Sequence, residues 1–80
     1  MVKEMVEIKN RLFSIMEDIF QVDRSALSDN SAPGVIKEWD SLKHMLLMMA
    51  LEEEFEFRFT DDEMTKCVNV KSILQILDGK

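Results

Sequence analysis

The 80-residue chain has little of several residue types that define whole classes of protein. Its single cysteine, Cys67, cannot form an internal disulfide, and no Cys/His cluster has the spacing of a zinc site. The longest apolar run, Met45 to Leu51, is too short to cross a bilayer, and the N-terminus has no signal-peptide pattern. These absences predict a cytoplasmic protein with no membrane span and no metal site.

The chain also has fewer basic residues than acidic ones. Ten Lys and Arg residues stand against sixteen Asp and Glu residues, which gives a formal net charge of −6. Binding to nucleic-acid phosphates needs clustered basic side chains, so this balance argues against a nucleic-acid partner. An acidic surface instead favours partner proteins that carry basic patches, because complementary fields raise the rate of encounter.

Glycine and proline are scarce as well, with two and one residues, while the apolar content is 46%. This composition indicates a folded chain rather than a disordered one. Eighty residues suffice for one apolar core and are too few for two, so we expect a single domain over residues 1–80.

Apolar spacing predicts three main helices. Side chains recurring every three or four positions predict a first helix over Lys3 to Phe20 and a last helix over Asn69 to Leu77. A second helix is predicted to begin at Asp40 or Ser41, either of which is a suitable cap, and to end at Glu54 or Phe55.

A fourth, shorter helix is predicted to begin with Thr60 or Asp61 as its cap. Thr60 and Glu63 have the spacing of a capping box, and the residues from Met64 to Cys67 would then form a single helical turn. The predicted fold class is therefore all-α, a small four-helix bundle of three main helices and one short helix.

The predicted connection between the first two helices is long. Residues 21–39 contain many turn-forming residues, Pro33-Gly34 among them, and lack a sustained apolar period. Four apolar residues are expected to pack this loop onto the helices: Leu27, Val35, Ile36 and Trp39. A second connection, Phe55 to Phe59, alternates like a strand but has no partner strand, so we expect an extended linker whose Phe rings enter the core.

The predicted second helix is apolar nearly all round from Leu42 to Leu51. Its stripe of Leu47, Leu51 and Phe55 is expected to face the core. Four further apolar residues cannot all share that face, so part of this set is predicted to be exposed as a docking surface: Leu42, Met45, Leu46 and Met49. The alternative is that the long loop covers this second face and makes it ordinary core.

Ser41 stands at the predicted start of this helix. A hydroxyl there is held at a fixed position and remains open to solvent, which suits a residue that another enzyme modifies. If Asp40 caps the helix, the hydroxyl of Ser41 is free to react.

The run Asp40-Ser41-Leu42 is followed, later in the same predicted helix, by the run Met49-Ala50-Leu51-Glu52-Glu53-Glu54-Phe55. Together with the start at Thr60 and the last helix, this pattern resembles the acyl carrier protein family. The resemblance implies that Ser41 receives a 4′-phosphopantetheine arm from coenzyme A, transferred by a phosphopantetheinyl transferase that meets Asp40 and Leu42. The thiol of the arm would hold acyl groups as thioesters.

The resemblance also implies a monomeric carrier, not an enzyme, that visits acyl-loading and acyl-processing enzymes. Contacts with those partners are expected at Trp39, Lys43, His44, Met45, Met49, Glu52 and Glu53. Two departures from the family pattern indicate a specialised carrier rather than one for housekeeping fatty-acid synthesis. Glu38-Trp39 replaces a small pair before the Asp-Ser-Leu motif, and Lys43 and Leu46 occupy places where acidic residues are usual.

Three other functions compete with that of an acyl carrier. A hydrolase using Ser41 and His44 lacks a third group to orient the histidine and donors for an oxyanion. An unmodified helical interaction module stays open, as does a carrier of aminoacyl or peptidyl groups. Among the remaining residues, Cys67 is expected to be buried and structural, and Trp39 is either a hydrophobic anchor for the loop or partly open to partners.

Overall fold

The computed structural model describes residues 2–79 of the chain, and the side chains of residues 5–79. Within that range the backbone forms four α-helices and no β-strand, which confirms the predicted all-α class. In chain order the helices are α1 (Val2–Phe20), α2 (Ser41–Phe55), α3 (Asp61–Lys66) and α4 (Val70–Asp78). No helix in residues 2–79 has both the length and the apolar character needed to cross a membrane.

The core lies where α1 packs against both α2 and α4. On α1 the buried side chains Leu12, Met16 and Phe20 recur every four residues, and Phe13 lies beside Leu12, which places them on one face of the helix. On α2 the predicted stripe is confirmed, since Leu47 and Leu51 are buried and Phe55 packs against them half-buried. The buried apolar side chains of these three helices are Leu12, Phe13, Met16, Phe20, Leu47, Met48, Leu51, Val70, Ile73, Leu74 and Leu77.

The long connection between α1 and α2 packs onto this core, as predicted, through Leu27, Ile36 and Trp39. Val35 is 69% exposed, so the prediction that it reaches the core is wrong. The chain turns tightly here: Gly34 adopts a φ of +93°, and the amides of Val35 and Ile36 both donate to the same upstream carbonyl oxygen. Two consecutive side chains leaving such a turn cannot both face the core.

The same connection is hydrogen-bonded to α4. The amides of Val70 and Lys71, in the first turn of α4, donate to the carbonyl oxygens of Ser31 and Asp29 at 2.9 and 3.1 Å. Amides in a first helical turn have no intrahelical acceptor, so the loop satisfies them. These bonds explain how a long irregular segment is ordered inside a small domain.

The second half of the chain follows the predicted pattern closely. Thr60 and Glu63 form a reciprocal capping box at the start of α3, with bonds of 3.1 and 2.9 Å between side chains and amides. Phe57 and Phe59 meet edge to face at a centroid distance of 4.7 Å, and Phe59 is buried, as expected for a linker that inserts rings into the core. Cys67, just after α3, is buried as predicted.

Candidate functional site

The N-terminus of α2 separates a capping residue from a free hydroxyl. Asp40 Oδ1 accepts a hydrogen bond of 2.9 Å from the amide of Lys43, so Asp40 is the cap of the two candidates that the sequence left open. Ser41, the first residue of the helix, is exposed, and its hydroxyl has no hydrogen-bond partner among residues 5–79. The cap leaves this hydroxyl available to an incoming reagent.

A groove of about 710 Å³ opens beside Ser41. It is formed by the first turns of α2 on one side and by residues from the loop and the end of α3 on the other. Its lining is mainly apolar and consists of Pro33, Trp39, Asp40, Ser41, His44, Met45, Cys67 and Val68. A groove of this character beside an exposed hydroxyl is large enough to accommodate part of a flexible small-molecule group.

Cys67 contributes a thiol to the wall of this groove, but an unreactive one. Burial, and to a smaller extent the charge of Glu63, raise the pKa of Cys67 to about 11. The thiolate is the nucleophilic form of cysteine, so at neutral pH this side chain acts as an apolar wall.

His44 lines the same groove one helical turn after Ser41. Its Nδ1 accepts a hydrogen bond of 2.9 Å from Nε1 of Trp39, and the two rings stack with centroids 5.9 Å apart. Burial lowers the pKa of His44, which keeps the imidazole neutral near pH 7. His44 is predicted to contact partner enzymes, but its side chain is half-buried and its Nδ1 is bonded within the fold.

Trp39 is 2% exposed and packs on Phe20 at a ring-centroid distance of 5.2 Å. The prediction that it anchors the loop is confirmed. The partner contact predicted for Trp39 does not fit this burial, because Phe20 and His44 cover its ring. Its contribution to the site is indirect, through the hydrogen bond that it donates to His44.

Lys43 and Glu52, two other predicted contact residues, are half-buried and engaged internally. Lys43 Nζ donates a hydrogen bond of 3.0 Å to the carbonyl oxygen of Ile19, at the C-terminal end of α1, where a positive charge is favourable. Glu52 Oε2 accepts one of 2.9 Å from the amide of Phe59. Both side chains therefore hold neighbouring segments in place against α2.

The outer face of α2 carries the exposed apolar residues. The exposed fractions are 68% for Leu42, 55% for Met45, 43% for Leu46 and 60% for Met49. Exposure of this face is confirmed, and the alternative that the long loop covers it is wrong. Glu53 is exposed at the far end of the helix and lines a second groove of about 740 Å³ that also includes Met49.

The structure thus divides the ten predicted site residues into two groups. Six lie exposed along α2 and its cap: Asp40, Ser41, Leu42, Met45, Met49 and Glu53. Four are buried or bonded inside: Trp39, Lys43, His44 and Glu52. Sequence reasoning missed the groove residues Pro33, Cys67 and Val68, which reach Ser41 only through the tertiary fold. It noted Leu46 as an apolar residue of this face but left it out of the predicted contacts.

Two further observations narrow the chemistry of this site. Among the residues that the structure describes, no group of three or more His, Cys, Asp or Glu side chains could hold a metal ion. The hydrogen bond of His44 goes to Trp39 and not to Ser41, so the Ser41–His44 pair lacks the bond that would activate a nucleophile. In this structure Ser41 and His44 are therefore not arranged as a nucleophile and its general base.

No protein-family model matches the chain. Two curated proteins are similar to it over nearly its whole length, and both bear the name acyl carrier protein. The one from Thermosynechococcus vestitus is 31% identical over 74 residues, which cover 92% of this chain and 91% of that protein. The one from Campylobacter fetus subsp. fetus is 28% identical over 76 residues, which cover 95% of this chain and 90% of that protein.

Proposed function

This chain belongs to the acyl carrier protein family, and from that membership we propose that Ser41 carries a 4′-phosphopantetheine arm whose thiol holds acyl groups as thioesters. The domain then acts as a carrier and not as an enzyme. The observation that supports this most directly is the Ser41 hydroxyl, exposed at the first residue of α2 while Asp40 provides the helix cap. The arm supplies the thiol chemistry when attached, and the chain presents it.

The residues around Ser41 fit such a group. The mainly apolar groove beside the hydroxyl gives the first part of an attached chain a surface to lie on. Transfer of a phosphoryl-linked group needs charge neutralisation and alignment, which the residues described here do not provide. A phosphopantetheinyl transferase would supply both. Asp40 and Leu42, exposed on either side of Ser41, are the residues we propose that it recognises.

Acyl-loading and acyl-processing enzymes are proposed to bind the outer face of α2. Met45, Leu46 and Met49 present adaptable apolar surface there, and Glu53 adds a negative charge. The net charge of −6 favours partners whose docking surfaces are basic.

The cargo proposed is that of a specialised pathway, such as polyketide, lipid, amino-acid or cell-surface assembly. Between Ser41 and Leu51 no residue of α2 is acidic, and the positive charge of Lys43 is directed to the end of α1. Partners that dock near Ser41 would therefore meet a largely apolar surface, with acidic groups only from Glu52 onward.

The proposal is tested by intact mass after incubation with coenzyme A and a phosphopantetheinyl transferase. We expect a gain of one phosphopantetheine per chain. Ser41→Ala should abolish the gain, while Ser25→Ala, which changes another exposed serine, should leave it unchanged. The absence of any gain with several transferases would contradict the proposal and favour an unmodified interaction module.

A further inference from the structure

One ring nitrogen of His44, Nδ1, is hydrogen-bonded inside the fold, and the other, Nε2, has no hydrogen-bond partner among the described residues. The indole N–H of Trp39 can only donate, so Nδ1 of His44, 2.9 Å away, must accept and carries no proton. In a neutral imidazole the proton then resides on Nε2. The fold therefore selects a single tautomer, in which Nε2 is a hydrogen-bond donor.

Nε2 of His44 is not fully buried. It has no hydrogen-bond partner among residues 5–79, and no side-chain nitrogen or oxygen in that range is buried without a partner. His44 lines the groove together with Ser41, three positions earlier on α2. Side chains three apart on a helix are neighbours, with about 5–6 Å between their Cβ atoms. An accessible N–H donor thus stands one turn from the hydroxyl proposed to be modified.

Once Ser41 is esterified and its hydroxyl proton is gone, the other polar side chains that line the groove do not offer a free hydrogen-bond donor to an anion. Trp39 is the only other lining residue in the described part of the chain with a side-chain N–H. That N–H already donates a hydrogen bond to Nδ1 of His44. Asp40 is an acceptor and is bonded to the amide of Lys43. Cys67 keeps its proton, because its pKa of about 11 lies far above neutral pH. An anion placed in this groove would therefore find its side-chain donor in His44.

We propose that His44 binds the phosphate of the group attached to Ser41, through a hydrogen bond donated by Nε2, and that Trp39 positions it by selecting the tautomer. This inference rests on the proposed function, since it requires a phosphodiester at Ser41. His44 touches the attached group, whereas Trp39 acts only through His44. The effect is to hold the base of the arm against α2, in addition to the amides at the start of that helix.

The chain has one histidine and one tryptophan, so the signals of both side chains are unambiguous. Nitrogen-15 NMR of the unmodified protein near neutral pH should show His44 protonated at Nε2. Trp39→Phe keeps an aromatic ring but removes the donor, and should give a mixture of tautomers. A wild-type spectrum in which Nδ1 carries the proton would overturn the inference, whatever the stability of the variant.

The second measurement compares the protein before and after loading by a transferase, with loading checked by intact mass. We expect the pKa of His44 to rise by about 0.5 to 1 on loading, because a nearby negative charge favours the imidazolium form. The Nε2 proton should exchange more slowly with water, and the phosphorus-31 resonance should follow the same titration. His44→Gln should remove that titration, while Lys43→Gln, a matched change at the adjacent position, should retain it.

The outcomes of these measurements distinguish the phosphate-binding role of His44 from the proposed carrier function. If the mass increases but the pKa of His44, the exchange of its Nε2 proton and the phosphorus-31 resonance do not respond, the phosphate-binding role is wrong and the carrier function stands. If no mass is gained, the carrier function fails, and the role of His44 falls with it.

Discussion

Asp40 combines two roles that a pair of substitutions can separate. Its Oδ1 accepts the amide of Lys43 at 2.9 Å and so caps α2, and its carboxylate stands beside Ser41, where we propose that a transferase recognises it. Asp40→Ala removes both the cap and the charge. Asp40→Asn removes the charge alone, because Asn caps helices about as well as Asp.

The magnitudes follow from the two interactions. Loss of a side-chain cap costs about 1 kcal/mol, and loss of a negative charge near an exposed helix N-terminus costs about 0.3–1 kcal/mol. We therefore expect Asp40→Ala to lower the free energy of unfolding by about 1–2 kcal/mol, and Asp40→Asn by less than about 1 kcal/mol. In a domain of this length each kcal/mol corresponds to a Tm shift of about 4–8 °C, which is readily measured.

Urea denaturation followed by circular dichroism gives the stability, and the slope with denaturant should not change between variants. Asp23→Ala is the matched control, since Asp23 precedes the short 3-10 turn at Arg24–Ala26 without capping it through its side chain. We expect that control to lie within about 0.5 kcal/mol of wild type. An Asp40→Ala variant as stable as wild type would refute the capping argument.

The initial rate of phosphopantetheine transfer tests the recognition role separately. If the transferase recognises the charge of Asp40, it should load Asp40→Ala and Asp40→Asn more slowly than wild type, although Asp40→Asn keeps the helix cap. Loading of Asp40→Asn at the wild-type rate would show that Asp40 acts only through the helix.

Two further predictions concern the loop and the histidine. Ile36→Ala should lower the free energy of unfolding by about 2–5 kcal/mol and Val35→Ala by less than about 0.5 kcal/mol, because Ile36 is buried and Val35 is 69% exposed. Equal effects of the two substitutions in urea denaturation would contradict this placement of the side chains. Burial lowers the pKa of His44 below the value of about 6.5 expected in the unfolded chain, so the folded protein binds fewer protons there. The corresponding stability is complete above that unfolded pKa and is lost as the pH falls through the folded pKa. The urea midpoint should therefore drop more in wild type than in His44→Gln between about pH 7 and about pH 5.5, a range that spans the unperturbed histidine pKa. Parallel drops in the two proteins would refute the lowered pKa of His44.

The helices were predictable because their signals are local. The apolar period of α1 and the cap of α3 at Thr60 involve residues within one or two turns of each other, and the structure confirms both. The loop was predictable only in part. Its turn at Gly34 was clear, but which of Val35 and Ile36 faces inward depends on the direction in which the chain leaves that turn.

The candidate site was likewise predictable only in part. Asp40, Ser41 and the exposed apolar face of α2 follow from capping and from an excess of apolar residues on one helix. The internal bonds of Lys43 and Glu52 had no sequence signal. Their acceptor and donor, on Ile19 and Phe59, are brought to α2 only when the helices pack.

By itself, the sequence determined the four helices, the place of Ser41 at the start of α2 and the family, because each is carried by motifs of residues close together along the chain. Which of Asp40 and Ser41 caps α2, and so whether the Ser41 hydroxyl is free, was decided by the structure. The tertiary structure alone decided the groove beside Ser41 and the state of His44. Trp39 precedes α2 and Cys67 follows α3, and their places in the groove depend on how the long loop folds onto the bundle. Burial of the Trp39 ring then directs its N–H at His44, which determines the tautomer of that imidazole.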